Sequence, residues 1–515
     1  MSRKVCLWSV TLVLLACSSL PYLVAWAATP ENAHFTGLLV NPFDGHSYIA
    51  KMRQGLDGSF RFRLAFTPEP QTGAYLFLLH LALGHLARWT RLPLIAVYHA
   101  ARLLTSATLL VTVNRFILSL GGERAQRRLA LLLSAVSSGL GWLVALLGYR
   151  SADLWVPEAF VFYSIMDTLH FPLAIALMLV VLMALARPGR QPSWRETLVA
   201  AAASVGLGVV QPFGVIPVYA TLAVWLALRW LRDRRMEWRR VGWTAVAGLA
   251  ALAYPLYGLL AIRADPALVA WSTQNQTPSP PPWDWLLSFG LLAALALPGA
   301  VKVARRRADG GLLLLAWVIA AGVGMYAPLA LQRRLALGLQ VPLALLAAAG
   351  WQQVIQPRLR RRRKVLTMAL VAFSSLTNLF LMAIFALGAL GGEPRFYLSE
   401  NEWQALMWLR AQVSHDQVVL CAPQTGMFVP AWAGQRVVYG HPFETVDAER
   451  RKAQVETYWA GEMDAVERES FLQENGVGYA LVGPRELEIG DWRLEIGDWR
   501  LVFEAGDVRV YEVTQ

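Results

Sequence analysis

The chain has 515 residues, 56% of them hydrophobic and 16% charged, with a mean hydropathy of +0.41. Soluble domains carry about 25% charged residues, so this balance excludes a water-soluble enzyme, a disordered chain and a fibrous protein. Three cysteines, Cys6, Cys17 and Cys421, exclude a disulfide framework and a cysteine-rich zinc site, and the net charge of +12 has to be read by position.

Crossing about 30 Å of hydrocarbon takes about 20 apolar residues. Runs of that kind predict spans near 5–27, 92–119, 129–148, 168–186, 197–211, 213–229, 241–262, 284–301, 311–328, 336–355 and 365–390. The first is expected to be retained, because Leu15 departs from the small residues of a cleavage site and the run continues through Tyr22–Ala28. Basic clusters separate the spans: Arg3-Lys4; Arg124–Arg128; Arg187–Arg195; Arg229–Arg240; Lys302–Arg307; and Arg358–Lys364, together 24 of the 47 Lys and Arg. The positive-inside rule puts all six in the cytoplasm. Eleven spans then leave the N-terminus inside and the C-terminus outside, in the cytoplasmic membrane. The segment 73–89 is apolar enough for a twelfth span, but a crossing there would turn five clusters outward. It is therefore expected to lie on, or dip into, the outer face, with His80, His85 and Arg88 at the interface. Gln211-Pro212 marks the tip of the short hairpin 197–230.

Two long segments face outward: the first loop, 28–91, and the tail, 391–515. The predicted domains are thus a transmembrane domain, 1–390, and a small extracytoplasmic α/β domain, 391–515, expected to fold separately. In the tail, the patterns predict a helix at 400–413, helices within 447–475 and strands at 417–421, 436–440, 477–482 and 507–513. The heptapeptide LEIGDWR at 487–493 recurs at 494–500, too short for a solenoid repeat, and reads as a duplicated surface hairpin.

The first loop holds the densest polar set, Asn41-Pro42-Phe43-Asp44-Gly45-His46-Ser47-Tyr48 followed by Lys51, Arg53, Asp57, Arg61, Arg63, Glu69 and Gln71. Asp44 precedes an expected amphipathic helix, Ser47–Leu56. A carboxylate there suits three roles: general base for an acceptor hydroxyl, ligand of a divalent cation, with His46 as a second candidate, or a turn or cap. In the second loop, 149–167, Asp153, Glu158, Asp167 and His170 gather near the surface, Asp167 also suiting a cap. Arg333 and Arg334 are the adjacent basic pair in an outer loop before the tail. Their forked donors suit phosphate, and a headgroup-facing pair is the alternative. Arg102, inside the second span, is expected to pair with an acid or a backbone carbonyl. No Gly-rich phosphate loop, HExxH or nucleophile elbow is present, and no basic–aromatic stripe for nucleic acid.

An N-terminal span, a long outer loop with an early acid (Asn41-Pro42-Phe43-Asp44), a surface helix preceded by Thr67-Pro68-Glu69-Pro70, and an acid at the outer start of the fourth span (Ile165-Met166-Asp167) form a pattern. It resembles the integral-membrane GT-C glycosyltransferases, a group that includes protein O-mannosyltransferases and lipid A aminoarabinose transferases. The likeness covers roughly 1–390, mainly as layout. It implies an enzyme that passes a sugar from a polyprenyl-phosphate carrier to a glycan, lipid or protein acceptor on the outer face. Asp44 corresponds to the first-loop acid and is implied as catalytic; Asp167 corresponds to the acid of the fourth span, with Glu69, Glu158 and His170 as supporting polar groups. The leaving phosphate needs donors, for which Arg333 and Arg334 are the candidates. Members often carry two acids close together in the first loop; here Gly45 and His46 follow Asp44, so a divalent cation is possible without being implied. Two other classes fit a polytopic chain. A transporter or flippase would carry midplane ionisable groups and an internal repeat, and neither is visible. A surface-polysaccharide polymerase or ligase would depend less on a first-loop Asp.

Overall fold

The computed structural model describes residues 3–359, 362–490 and 499–513. The chain forms two compact units. One comprises Met1–Pro21, His99–Tyr257 and Thr277–Phe385; the other comprises Tyr22–Tyr98, Gly258–Gln276 and Ala386–Gln515.

The first unit is helical. Each of the eleven predicted spans coincides with helix, but the lengths differ from expectation. Among the described residues, six helices are long and apolar enough to cross a membrane: Leu7–Ala27, Leu94–Leu120, Arg124–Ala145, Pro212–Asp233, Trp238–Ala264 and Pro282–Arg306. A seventh candidate is the pair Arg363–Ser374 and Leu376–Leu390, bent by 40°. His170–Leu185 and Asp309–Gly324 have 16 residues each, and Gln340–Gly350 has 11 before a π-helical turn at Trp351–Ile355. A 16-residue helix is about 24 Å long, short of the hydrocarbon thickness. Hydropathy marks where a run is apolar but not where the backbone breaks. The turn between Trp194–Val210 and Val215–Asp233 falls at Gln211-Pro212, where a 3-10 turn, Pro212–Gly214, reverses the chain.

The second predicted loop is not a surface loop. Its two 3-10 turns, Ala152–Leu154 and Pro157–Ala159, and the helix Val161–Asp167 are buried throughout. Burial of Asp153 is tolerated because its carboxylate is satisfied locally. Asp153 accepts the N–H groups of Gly139 and Gly141 at 3.0 and 3.1 Å and the Ser151 hydroxyl at 2.7 Å.

The second unit is an α/β body. Its sheet has the order β4-β3-β5-β7-β6, where β3 is Val418–Leu420, β4 Arg436–Val437, β5 Val477–Val482, β6 Arg500–Ala505 and β7 Val508–Glu512. The pairs β3–β4 and β3–β5 are parallel; β5–β7 and β6–β7 are antiparallel. Helices Ala448–Trp459 and Ala465–Glu474 connect β4 to β5, as parallel strands require. Val455, Tyr458, Trp459 and Phe471 from these helices bury against Leu420, Ala480 and Val482 of the sheet. Helix Glu400–Gln412 opens with a capping box, the Ser399 hydroxyl accepting from Glu402 N at 3.2 Å and the Glu402 carboxylate from Ser399 N at 2.7 Å. Of the tandem heptapeptide, 491–498 lie outside the described residues, and with them the expected hairpin.

The tail shares its compact unit with Tyr22–Tyr98 and Gly258–Gln276. The first loop belongs to the same compact body. β1, Ala33–Phe35, pairs antiparallel with β2, Tyr397–Ser399. Val437 N donates to Ala65 O at 3.2 Å, and Phe62, Leu64, Leu76 and Leu81 share a core cluster with Leu268 and Val446. Helix Leu78–Thr90, within the predicted surface segment, has 13 residues, about 20 Å and too short to cross alone. His80 and His85 do not face an interface. His80 stacks on Tyr48 at 4.9 Å between ring centroids and His85 on Phe60 at 4.1 Å, both buried against the first loop. Arg88 is exposed.

Candidate active site

The first-loop helix runs Pro42–Leu56, five residues longer at its start than expected, so Asp44 lies in its first turn rather than ahead of it. Asn41 adopts the left-handed conformation (φ 48°) that Asn tolerates, and Pro42 supplies the fixed φ of a first helical residue. The free N–H groups and the helix dipole favour a carboxylate at this position. The Asn41 amide donates to Asp44 Oδ2.

The other oxygen, Asp44 Oδ1, lies 3.5 Å from Nε2 of His441. His441 is 1% exposed, and its Nδ1 accepts the backbone N–H groups of Phe443 at 3.0 Å and Glu444 at 3.1 Å. A nitrogen that accepts two N–H donors carries no proton, so the proton of the neutral ring sits on Nε2, facing Asp44. Phe43, Phe66 and Phe443 surround the ring. Asp44 itself keeps 36% of its side chain exposed. The result is a partly exposed carboxylate that accepts from an amide and lies 3.5 Å from an imidazole nitrogen, an arrangement suited to a general base.

Two turns further along the helix lies a buried ion pair. Lys51 Nζ, 1% exposed, meets Glu444 Oε1 at 2.5 Å, and the Ser47 hydroxyl donates to the same oxygen at 2.6 Å. Lys51 also lies 4.6 Å from the Phe77 ring centroid. Burial raises the Glu444 carboxyl, but the Lys51 ammonium and the hydrogen bonds from Lys51 and Ser47 outweigh it and hold the group below the usual carboxylate range. Because Glu444 N binds His441 Nδ1, the ion pair fixes the backbone that orients the imidazole.

Glu69 binds Arg451 and the Thr67 hydroxyl, joining the first loop to helix Ala448–Trp459. His46, the second metal candidate, turns inward. Its Nδ1 donates to Pro42 O at 2.7 Å, its ring meets Phe428 edge-on at 4.8 Å, and burial pushes its pKa down to about 4. His46 is thus a neutral core side chain, and among the described residues no three His, Cys, Asp or Glu are grouped to hold a metal ion.

The remaining candidates lie in the helical unit. Glu158, 0% exposed, sits 3.4 Å from Arg333 Nε and 3.4 Å from Arg334 Nη1. The sequence-adjacent arginines therefore straddle one carboxylate rather than forming an open basic pair. Arg333 stacks over Trp155 at 4.8 Å and Arg334 over Phe213 at 5.5 Å. Two cations against one anion leave a net positive charge, with both guanidinium groups partly exposed. Asp167 ends the short helix Val161–Asp167, and His170 starts the next; the N-cap there is Leu169, so Asp167 does not cap it. Both are buried. Arg102 finds the backbone partner expected of it, the carbonyl of Ile165 at 2.9 Å.

Sequence reading assigned no role to His441 or Glu444, nor to Lys51. A single His after a short strand has no spacing that marks it, and it meets Asp44 across nearly four hundred residues.

No protein-family model matches the chain, and no curated protein matches it by sequence. Among solved structures it is similar to the arabinofuranosyltransferase AftD from Mycobacteria, with a TM-score of 0.55 and 16% identity over 99% of this chain and 42% of that one. ArnT from Cupriavidus metallidurans bound to undecaprenyl phosphate matches with a TM-score of 0.53 and 13% identity over 97% of each chain. The apo oligosaccharyltransferase of Archaeoglobus fulgidus matches with a TM-score of 0.53 and 15% identity over 93% of this chain and 70% of that one. All three are membrane glycosyltransferases of the GT-C superfamily. At these identities the likeness establishes the fold, and the chain has a GT-C fold.

Proposed function

We propose that the chain is a membrane glycosyltransferase that takes a sugar from a polyprenyl-phosphate donor and places it on an acceptor hydroxyl at the outer face of the cytoplasmic membrane. The observation that carries this reading is Asp44, a partly exposed carboxylate whose second oxygen lies 3.5 Å from Nε2 of the buried His441, a ring oriented by two backbone N–H groups on its Nδ1. The likeness in fold to ArnT bound to undecaprenyl phosphate supports a lipid-linked donor. In the reaction, the acceptor oxygen bonds to the anomeric carbon, the bond from that carbon to the carrier phosphate breaks, and Asp44 takes the acceptor proton. His441 positions the carboxylate and stays outside the proton inventory. Within the helical unit, Arg333 and Arg334, oriented by Glu158, are the proposed donors to a lipid-linked phosphate. Any of glycan, lipid or protein suits the acceptor.

The test measures turnover of the polyprenyl-phosphate sugar by purified protein in bilayer nanodiscs. Asp44→Asn removes the base at nearly constant volume and is expected to lower turnover by about 10²–10⁴-fold with an unchanged melting curve. His441→Asn keeps an acceptor for the Phe443 and Glu444 N–H groups but removes the group facing Asp44. It is expected to lower kcat by about tenfold to a hundredfold while leaving the donor KM in place. Asp44→Asn retaining more than about a tenth of wild-type turnover would make Asp44 a helix-terminus residue and sink the assignment.

A further inference from the structure

Within the α/β unit, away from Asp44, lies a cavity of about 680 Å³. That volume falls in the range of small-molecule sites. Its wall includes four arginines, Arg53, Arg88, Arg91 and Arg410, against a single carboxylate, Asp57. Asp57 is itself engaged, 3.7 Å from His415 Nε2. Among the described residues, none of the four guanidinium groups has an ion-pair partner of its own.

Arg53 is 4% exposed. Its Nε donates to Ala431 O at 3.4 Å, while Nη1 is buried without a hydrogen-bond partner. Trp432, 7% exposed and lining the same cavity, likewise has a buried Nε1–H with no acceptor. Orphaned buried donors of this kind cost about 1–3 kcal/mol each, more for a charged group. Both donors belong to residues that line the one cavity. Burial, and after it the charge of Arg410, depresses the Arg53 pKa to about 10, and Arg410 lines the same cavity.

The other wall is apolar and aromatic. Trp403 meets Trp432 edge-on at 5.4 Å, and His34 stacks on Trp403 at 4.8 Å. Leu92, Pro93 and Leu94 line the cavity where the span candidate Leu94–Leu120 begins, and Leu92 is exposed. The site is distinct from Asp44. Arg53 is nine residues further along the same helix, about 13 Å away and half a turn out of phase, so the two side chains leave on opposite faces.

We propose that this cavity binds a phosphate ester, held by the arginine forks and the Trp432 indole N–H, and that its source is the headgroup of an anionic membrane lipid. Arg recognises phosphate bidentately. A cationic recess opening at the end of an apolar helix suits a ligand whose phosphate continues into a hydrocarbon chain. The proposal stands independently of Asp44.

The full chain in phosphatidylcholine nanodiscs doped with phosphatidic acid provides the test, with lipid retention read by native mass spectrometry and inorganic phosphate as competitor. Wild type is expected to retain phosphatidic acid in preference to phosphatidylcholine. Exposed Arg410→Gln and Arg91→Gln, which leave the core alone, are each expected to weaken retention by about tenfold, and Arg53→Lys, which keeps the charge without the fork, by a comparable factor. Efficient displacement by inorganic phosphate would support the phosphate site and assign its source to solution rather than the bilayer. Equal retention by wild type and the Arg91, Arg410 double variant would overturn the proposal.

Discussion

At the scale of single residues, the α/β unit is held by groups whose ionisation its interior dictates. His46 is neutral because burial removes its hydration, so its pKa falls from 6.5 to about 4. Between those values the unfolded chain binds the extra proton, and stability therefore rises with pH across the window and is lost on acidification, by up to about 3 kcal/mol. Glu486 opposes it. Burial pushes its pKa up to about 7 from 4.5, although it accepts from Ala422 N at 2.8 Å, Thr425 Oγ1 at 2.6 Å and Gly483 N at 2.8 Å. There the folded state binds the proton, and stability falls as pH rises from 4.5 to about 7. The two slopes offset one another in wild type. His46→Asn keeps a donor for Pro42 O and removes the titration. Its melting temperature is expected to fall as pH rises through this window, exposing the Glu486 slope. Differential scanning calorimetry of the detergent-solubilised chain at several pH values checks it, and a variant profile parallel to wild type would refute the assignment of His46.

At the scale of elements, the helix carrying Asp44 is placed by a backbone-to-backbone contact. A Cβ at Gly84 would lie 2.0 Å from Met52 O, and one at Gly55 would lie 2.2 Å from Leu81 O. Both are closer than any side chain allows, so helices Pro42–Leu56 and Leu78–Thr90 approach through their glycines. Gly84→Ala would gain helix propensity in an isolated helix. In this contact the clash with backbone is expected to prevail, destabilising the protein by about 1–3 kcal/mol and shifting Asp44 enough to lower turnover. Thermal melts and donor turnover measured together test this; an unchanged or raised melting temperature would show that the helices part without penalty. The glycines are plain in the sequence, but their partner surfaces are not, because a helical glycine without a packing context reads as a weak point rather than a contact.

At the scale of the whole molecule, the placement of arginine and lysine predicts the orientation, with the basic clusters inside. Single cysteines at Arg450 and Arg235, both exposed, are expected to differ towards a membrane-impermeant maleimide. Position 450 should react in intact cells, and position 235 only after permeabilisation. Labelling at 235 in intact cells would invert the orientation and move the α/β unit to the cytoplasm. The assay also tests the treatment of 73–89 as non-crossing, since a crossing there would reverse the later clusters.

By itself, the sequence determined the solvent and the periodicities. Long apolar runs can be stable only in lipid, and the strand and helix patterns of the tail follow local alternation, which is why β3, β5, β7 and the capped helix Glu400–Gln412 were legible in advance. Asp44 was legible too, because an acid in a turn-prone stretch after a span stands out against an apolar background. Tertiary structure alone decided the rest. Lys51 and Glu444, or Asp44 and His441, are neighbours across nearly four hundred residues, and no local pattern encodes a pairing at that separation. The same holds for Glu158, which draws Arg333 and Arg334 inward and turns an expected surface loop into buried structure. Burial then reassigns chemistry: His46, two residues from Asp44 and equally plausible as a ligand in sequence, becomes a neutral core ring, because desolvating an imidazolium among Phe428 and Trp432 costs more than the charge returns.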